Sequence, residues 1–297
     1  MVEAVNAFEC MNQDTGEAWT MVNGDSCAVL PQIPAQSVGL SIYSPPFANI
    51  FTYSDRPEDI GNCTDDDEFA THYRFVVREI ARITKPGRLT AVHCSDLPTT
   101  KWRDGMIAVR DLSGLIRELH EEAGMHFIRR ITIWRDPVVE MTRTKALNLL
   151  YKQLLKDSCK SWPGLPDYLL LFRAAGDNTE PVGHEPREFP LSRWREWASP
   201  VWMDIDQTNT LNGQMAREAN DERHVCPLQL DLIERAVLMW SNPGDVVLSP
   251  FAGIGSEGFV AVRHKRRFVG VELKPSYWQI AVKHLREAEA TRDTLFD

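Results

Sequence analysis

The sequence predicts an α/β fold in which a mostly parallel sheet carries helices on both faces. Two observations support this prediction. Short apolar runs alternate with amphipathic segments along the chain, which is the pattern of strands joined by covering helices. The 297 residues, 43% hydrophobic and 25% charged, are also enough for one large globular domain or two small ones.

The amino-terminal half is predicted to alternate strands and helices up to residue 134. Its clearest helix covers 65–84, because the apolar side chains there recur at three- and four-residue steps and form one face. Acidic residues favour the start of this helix, and Lys85-Pro86-Gly87 is expected to end it. The other predicted elements are strands at 20–25, 38–43, 88–94 and 126–134, a small helix before Leu30 and a helix over 112–125.

The carboxyl-terminal part is predicted to return to regular structure after two long irregular stretches. These stretches, 135–166 and 174–222, flank a strand at 167–173. Loops of this length inside a compact domain are usually functional or form a small subdomain. The remaining predicted elements are a helix over 228–241, a strand over 246–251, a helix reaching Val262, a strand over 268–273 and a closing helix over 274–290.

The composition predicts a cytoplasmic protein with no membrane segment and no metal site. No apolar run approaches the roughly 18 residues of a membrane helix, and the first residues lack a signal-peptide pattern. The six cysteines show neither C-x-x-C spacing nor the pairing with histidine that is typical of metal ligands, so we expect reduced thiols. The sequence leaves the oligomeric state open, with a homodimer as one option.

The charges are unevenly distributed. A net charge of −9 argues mildly against nucleic acid as a partner. Residues 125–160 nevertheless carry eight lysines and arginines against three acids. A solvated helix face would explain this basic stretch as well as a binding surface would, so charge alone leaves both interpretations open.

A strand, a glycine-rich turn, a helix and a second strand ending in an acid follow one another over 246–273. This order is typical of a nucleotide-binding unit, because glycines let the backbone approach a ligand and Glu272 can hold a ribose diol. The match to dinucleotide binding is poor, since no second nucleotide half is visible. A tight strand-to-helix turn would also explain Gly253 and Gly255 without a ligand.

The apolar strand at 38–43 stops at Ser44-Pro45-Pro46-Phe47. Proline has no backbone donor for a sheet ladder, and it moves the preceding residue out of the helical region. The chain must therefore leave the strand as a stiff, extended loop. This loop is either a Pro-Pro turn over a core phenylalanine or part of a site.

Together these segments resemble the amino-directed DNA methyltransferases of the permuted beta class. SPPF after a strand, KPG behind a helix, SPFAGIGSEG and FVGVEL carry the resemblance, which covers about 20–134 and 224–287. It implies a Rossmann-like, S-adenosylmethionine-dependent fold with circularly permuted motifs. The implied regions are a catalytic half over 1–134, an irregular target-recognition insertion over 135–222 that includes the strand at 167–173, and a cofactor-binding half over 223–297.

The resemblance gives the SPPF loop a chemical role. The exocyclic amine of a base is a poor nucleophile, because its lone pair is conjugated with the ring. The Ser44 hydroxyl and the Pro45 carbonyl can both accept hydrogen bonds from that amine, and Pro46 would help to hold these acceptors still. Phe47 would stack on a base swung out of the duplex.

Seven residues match family positions that bind S-adenosylmethionine: Asp25, His224, Ser249, Phe251, Gly253, Gly255 and Glu272. The resemblance assigns Glu272 to the ribose hydroxyls and Asp25 to the adenine amino group. His224 fits a segment that packs against the cofactor, although a surface or turn histidine explains it equally well.

Ser249 departs from the family pattern, which usually has Asp-Pro-Phe where this chain has Ser249-Pro250-Phe251. The missing carboxylate normally lies near the ammonium group of the cofactor. Its loss would cost about 1–2 kcal/mol of binding unless Asp245 or Glu257 compensates.

The expected reaction is methylation of N4 of cytosine, because SPPF is typical of N4-cytosine enzymes whereas adenine enzymes more often begin this motif with Asp or Asn. N6-adenine methylation and a catalytically weak DNA-binding protein on the same fold are the alternatives. A carbon-5 mechanism is excluded, since it needs a cysteine after proline and Cys226 precedes Pro227. DNA is the expected partner, contacted by the basic residues Arg129, Arg130, Arg143, Lys145 and Lys152.

Overall fold

The computed structural model describes residues 8–46, 63, 65–99, 105–144, 147–211 and 227–292. Its α-helices are Ser26–Val29 (α1), Asp66–Ile83 (α2), Leu112–Glu122 (α3), Pro137–Thr144 (α4), Tyr151–Lys156 (α5), Leu191–Trp197 (α6), Leu230–Trp240 (α7), Ser256–Arg263 (α8) and Pro275–Arg292 (α9). Its strands are Asn12–Thr15 (β1), Trp19–Asn23 (β2), Val38–Tyr43 (β3), Thr84–Ser95 (β4), Leu97–Pro98 (β5), Val109–Arg110 (β6), His126–Ile133 (β7), Asp167–Arg173 (β8), Val201–Trp202 (β9), Val246–Ser249 (β10) and Arg267–Glu272 (β11).

One large sheet organises these elements, with the strand order β1-β2-β11-β10-β3-β4-β8-β7-β9. The five strands from β2 to β4 run parallel, whereas β8 is antiparallel to both of its neighbours, β4 and β7. The prediction of a mostly parallel sheet is therefore confirmed. From β3 the chain continues to β4 on one side, whereas β10 leads to β11 on the other. Such a reversal opens a crevice at the carboxyl ends of the strands.

Helices cover both faces of the sheet. Helices α1, α2 and α3 pack on one face, where they bury residues such as Val29, Val77 and Ile116. Helices α7, α8 and α9 pack on the other face around Ala236 and Leu285. Because β3 lies between these two layers, all six of its residues are buried, which explains why its sequence is a continuous apolar run.

Helix α2 has the predicted amphipathic character, and the Asp65 side chain caps it by accepting from the Glu68 backbone N–H. The prediction that Lys85-Pro86-Gly87 ends this helix was wrong. The helix ends at Ile83, and the next residue, Thr84, is already extended and paired with Val38. The segment therefore forms the beginning of β4 instead of a separating turn. Gly87 permits this with a φ of +69°, while its N–H donates to Ala174.

The two stretches predicted as irregular contain the short helices α4, α5 and α6 within their described parts. Sequence periodicity missed these helices because each spans only about two turns. Strand β8 lies inside the large sheet between β4 and β7, and β9 pairs with β7. Among the described residues, no helix combines the length and the apolar character needed to cross a bilayer.

Candidate active site

The carboxyl ends of the parallel strands bring the predicted site residues to one edge of the sheet. Asp25 follows β2, Glu272 ends β11, Ser249 ends β10 and Ser44 follows β3. These four strands are consecutive in the sheet, so residues that are far apart in the sequence become neighbours along the crevice. The sheet thus unites the two sequence motifs, the SPPF loop and the glycine turn.

The glycine turn is fastened to the end of β11 by the Glu272 carboxylate. Its Oε2 accepts the Gly253 N–H at 2.9 Å and its Oε1 accepts the Lys274 N–H at 2.8 Å. Gly253 has a φ of +52°, and a Cβ built there would meet no described atom within 4 Å, so the space above the turn is open to a ligand. Gly255, at φ +87°, instead packs against Ala281 of α9 and is required by the fold.

Asp25 lies after β2, the strand next to β11, and caps helix α1. Its Oδ1 accepts the Cys27 N–H at 2.9 Å, and the preceding Gly24 N–H donates to the Glu272 carbonyl. Burial raises the pKa of the Cys27 thiol to about 12, and the nearby Asp25 carboxylate adds to this effect. Gly24 thus ties the segment that carries Asp25 to the end of β11 that carries Glu272, and the Cys27 thiol beside Asp25 is protonated at neutral pH.

Ser249 is completely buried, and its hydroxyl has no hydrogen-bond partner within the described part of the chain. Of the two carboxylates that could replace the missing aspartate, Asp245 is already committed, because it forms a buried ion pair with Arg88. Glu257 lies in the first turn of α8 and is only 4% exposed. Its burial, reinforced by the charge of Glu272, raises the pKa of its carboxyl to about 8. Glu257 is thus the remaining candidate for this role.

Phe251 connects the cofactor turn with the strand that carries the SPPF loop. Its ring meets Tyr43, the last residue of β3, edge-on at 5.9 Å. The Tyr43 hydroxyl lies 3.1 Å from that of Tyr73 and 3.2 Å from His120 Nε2. Burial lowers the pKa of His120 to about 4, so this internal network is uncharged at neutral pH. This network links β3, which leads into the SPPF loop, to helices α2 and α3.

The SPPF loop begins with a half-buried Ser44 and a buried Pro45. The Ser44 Oγ lies 3.2 Å from the carbonyl oxygen of His93 and 3.3 Å from its Nδ1. Ser44 can therefore donate its own hydrogen to His93 and keep its lone pairs as acceptors. Pro46 is half-buried, whereas Phe47 and His224 lie outside the described residues.

Behind Ser44 the structure places polar residues that the sequence analysis missed. His93 Nε2 lies 3.3 Å from Asp167 Oδ2, and Arg135 Nε lies 2.8 Å from the same oxygen. His93 and Asp167 belong to neighbouring antiparallel strands, in which His93 faces Leu169 two residues from Asp167. The sequence shows a histidine and an aspartate in otherwise apolar strands, which could have marked them as candidate site residues. Only the pairing of the two strands shows that they meet.

The predicted DNA-binding residues that the structure describes lie on two different elements, β7 and α5. Arg129 and Arg130 are exposed on β7, and Arg130 lies over the Tyr168 ring at 4.9 Å. Lys152 is exposed on α5. The Arg143 side chain and Lys145 lie outside the described part.

One group of metal-ligand types was not expected from the cysteine spacing. Cys63, Glu68 and His72 place their ligand atoms within 4.8 Å of one another at the start of α2. Cys63 is buried among apolar side chains of the core. This packing already accounts for its position without an ion.

Comparison with known proteins places this chain among DNA-modifying enzymes. A family model described as DNA methylase (N6_N4_Mtase) matches residues 38–283. DNA adenine methyltransferase YhdJ of Escherichia coli (strain K12) is 25% identical over 275 residues, which are 91% of this chain and 83% of that protein.

Solved structures agree with this result. TTHA0409 of Thermus thermophilus, described as a DNA modification methylase and solved with S-adenosyl-L-methionine, has a TM-score of 0.64 at 26% identity, covering 91% of this chain and 95% of its own. PvuII DNA methyltransferase, described as cytosine-N4-specific, has a TM-score of 0.64 at 18% identity, covering 96% of both chains. This second likeness concerns the fold alone.

Proposed function

Since this chain belongs to the N6/N4 DNA methylase family and transfers methyl groups from S-adenosylmethionine to DNA, we propose that its acceptor is N4 of a flipped cytosine within a defined sequence. The choice of cytosine as the target base depends on Ser44. Its hydroxyl, half-buried at the end of β3, is the first group of the SPPF loop.

The chemistry follows from the hydrogen-bonding capacity of this loop. Ser44 has His93 as an acceptor for its own proton, so its oxygen lone pairs can accept one amino hydrogen of the base. The Pro45 carbonyl would accept the other hydrogen. Two fixed acceptors favour a tetrahedral nitrogen, whose lone pair becomes available for attack. We expect Phe47 to stack on the extruded ring.

The residues around the glycine turn fit a cationic nucleoside cofactor. The open space above Gly253, and the side chains of Asp25 and Glu272 at the ends of two neighbouring strands, support this assignment. When bound, S-adenosylmethionine supplies an electrophilic methyl group on a sulfonium. In our proposal Glu272 binds the ribose hydroxyls, Asp25 the adenine amine, and Phe251 with Ser249 borders the methionine part. His224 and Gly255 complete the proposed cofactor set.

Adenine is the second candidate target, because the relative YhdJ, which matches 91% of this chain, is described as an adenine methyltransferase. A hydroxyl accepts less strongly than the carboxylate or amide that adenine enzymes more often carry at the position of Ser44. That difference is our reason for placing cytosine first.

Product analysis decides between the two bases. Unmethylated genomic DNA is incubated with the protein and S-adenosylmethionine, digested to nucleosides and analysed by mass spectrometry. We expect N4-methylcytosine, with Ser44→Ala as the inactive control. N6-methyladenine as the main product would overturn the proposed base and leave the family assignment intact.

A further inference from the structure

We propose that His93 receives, through the Ser44 hydroxyl, the proton that the target amine loses, and that Asp167 and Arg135 position His93 for this task. This inference rests on the role of Ser44 in the proposed function, but it holds for either base. It identifies three positioning residues that the sequence motifs do not include.

The side chains form a continuous path from the site into the protein. Ser44 Oγ lies 3.3 Å from His93 Nδ1, and His93 Nε2 lies 3.3 Å from Asp167 Oδ2. His93 is 7% exposed and Asp167 2%. Arg135 Nε reaches the same carboxylate oxygen at 2.8 Å from the half-buried segment after β7. Buried polar groups of this kind are costly unless they are paired, which favours a purpose for the arrangement.

The charge state of Asp167 fixes the orientation of the imidazole. Burial alone would raise the pKa of the Asp167 carboxyl, but its contact with His93 and the charge of Arg135 lower it below the ordinary value. A carboxylate beside Nε2 favours the tautomer with hydrogen on Nε2. Nδ1 then carries the lone pair, and this nitrogen is the one that faces Ser44.

His93 and Asp167 interact electrostatically and do not form a linear hydrogen bond. The two atoms are 3.3 Å apart, but the geometry does not meet hydrogen-bond criteria, and Nε2 has no other partner among the residues that the structure describes. A different orientation of the ring would be needed to turn this contact into a hydrogen bond. We infer that this change of orientation accompanies protonation, because the imidazolium ion would be drawn towards the carboxylate.

The proton balance of the step is complete. The nitrogen uses its lone pair to bond the methyl carbon, while the S–CH3 bond breaks and its electron pair stays on sulfur. The nitrogen then carries a positive charge and loses one hydrogen to Ser44 Oγ, keeping the electrons of that N–H bond. Ser44 passes its own hydroxyl proton to His93 Nδ1. The products are a neutral methylated amine, S-adenosylhomocysteine and an imidazolium ion, which later loses its proton to solvent.

The competing explanation is that His93 only supports the loop. Its carbonyl oxygen lies 3.2 Å from Ser44 Oγ, so the hydroxyl can donate to the backbone instead of to the ring. In that case the identity of the side chain would affect stability but not proton transfer. The pH dependence of the methylation rate separates the two cases.

The groups that face the His93 ring predict how the methylation rate depends on pH. Among the described residues these are Ser44, the Asp167 carboxylate on β8 and, behind it, the Arg135 guanidinium. An imidazole that is protonated at low pH cannot accept the Ser44 proton. The rate should therefore fall on the acidic side of the profile in the wild-type protein.

The experiment measures single-turnover methyl transfer as a function of pH, with cofactor affinity determined separately by calorimetry. For His93→Gln we expect a rate about 10²-fold lower, the size of a lost general base, with the acidic limb abolished and cofactor affinity unchanged. Added imidazole should partly restore His93→Gly. Asp167→Asn should lower the rate less and change the position of the acidic limb.

His120→Gln is the matched control, since this buried histidine contacts Tyr43 in the network below the same strand but does not reach Ser44. It should alter thermal stability and leave the shape of the pH profile unchanged. A His93→Gln protein with the wild-type profile and a rate within about threefold would overturn the proposal. If no His93 variant folds, the wild-type protein provides the test, because the absence of a solvent isotope effect on the single-turnover rate would equally overturn it.

Discussion

The two halves of the crevice are built in different ways. On the proposed cofactor side, backbone groups hold the side chains, since the Glu272 carboxylate accepts from the N–H groups of Gly253 and Lys274, and Asp25 caps α1. On the proposed acceptor side, side chains mainly contact side chains: Ser44 lies beside the His93 ring as well as its carbonyl oxygen, and His93 contacts Asp167. The contacts of the first arrangement join residues 2 to 19 positions apart in the sequence, whereas the Ser44–His93 contact of the second joins residues 49 positions apart.

This difference indicates a division of labour. Backbone donors and a helix cap give a fixed cradle for a cofactor whose shape does not change between targets. A path of hydroxyl, imidazole and carboxylate can change its protonation, which the acceptor side needs because the product nitrogen must lose a proton. Substitutions on the two sides should therefore affect different steps.

The largest expected effect is that of Ser44→Ala on the acceptor side. Removal of one positioned acceptor should lower the rate of methyl transfer by about 10²- to 10³-fold, while S-adenosylmethionine binds as before. Ser41→Ala, in the preceding strand β3, is the control, because its buried hydroxyl meets no partner in the described structure and its loss should matter little. Quench-flow rates and calorimetry would measure both. Full activity of Ser44→Ala would show that the SPPF loop is only a turn.

The next effect in size is expected for Glu272→Ala on the cofactor side. Glu272 fastens the glycine turn, and we assign it to the ribose hydroxyls. Hydrogen bonds to a charged group contribute about 1.5–3 kcal/mol, so its loss should weaken S-adenosylmethionine binding by about 10- to 100-fold. The rate at saturating cofactor should change much less. Glu234→Ala, which removes a surface carboxylate in contact with His264, is the control. Equal losses in both variants would contradict the assigned role.

The same contrast explains which parts of the site could be predicted from the sequence. The glycine turn, Glu272 and the SPPF loop are local motifs beside apolar strands, and the order of those strands in the sheet brings them to one edge. The pairing of His93 with Asp167 depends on β8 lying antiparallel to β4, which strand propensity does not encode. The short helices α4, α5 and α6 expose apolar side chains, so their periodicity was uninformative.

A smaller effect is expected for Glu257→Gln, through pH. The pKa of this buried carboxyl is about 8, above its ordinary value of 4.5, so between these values the unfolded chain has lost a proton that the folded protein keeps. The free energy of unfolding should therefore fall as pH rises from about 4.5 to 8 in the wild type, and this component should vanish in Glu257→Gln. Urea titrations at several pH values would measure it.

Cofactor binding provides the second measurement on Glu257. If its carboxylate replaces the missing aspartate, the positive charge of the cofactor favours ionisation, so binding should release a proton and strengthen as pH rises. Glu257→Gln should abolish both effects, and Ser249→Asp in that background should restore tight binding. Calorimetry in buffers of different ionisation enthalpy would detect the proton. Unchanged proton release in Glu257→Gln would remove this residue from the cofactor site.

The smallest effect is expected outside the crevice, for Arg129→Ala combined with Lys152→Ala. Both side chains are exposed on the basic stretch, and phosphate contacts contribute a slope in log salt of about −0.9 each. The double variant should bind DNA about tenfold more weakly near physiological salt and show a slope flatter by one to two phosphate contacts, with unchanged cofactor affinity.

The choice of control for this prediction depends on the structure. A second basic run, RHKRR, covers 263–267. Arg266 in this run is unsuitable as a control, because it is buried and donates to the Ser241 carbonyl and hydroxyl. Arg267 and Lys283 are exposed on the cofactor half, so Arg267→Ala with Lys283→Ala removes the same charge away from the insertion. Fluorescence anisotropy over a salt series would compare the two pairs. Equal slopes in both double variants would mean that DNA is recognised through net charge, and the recognition surface would have to be sought outside this basic stretch.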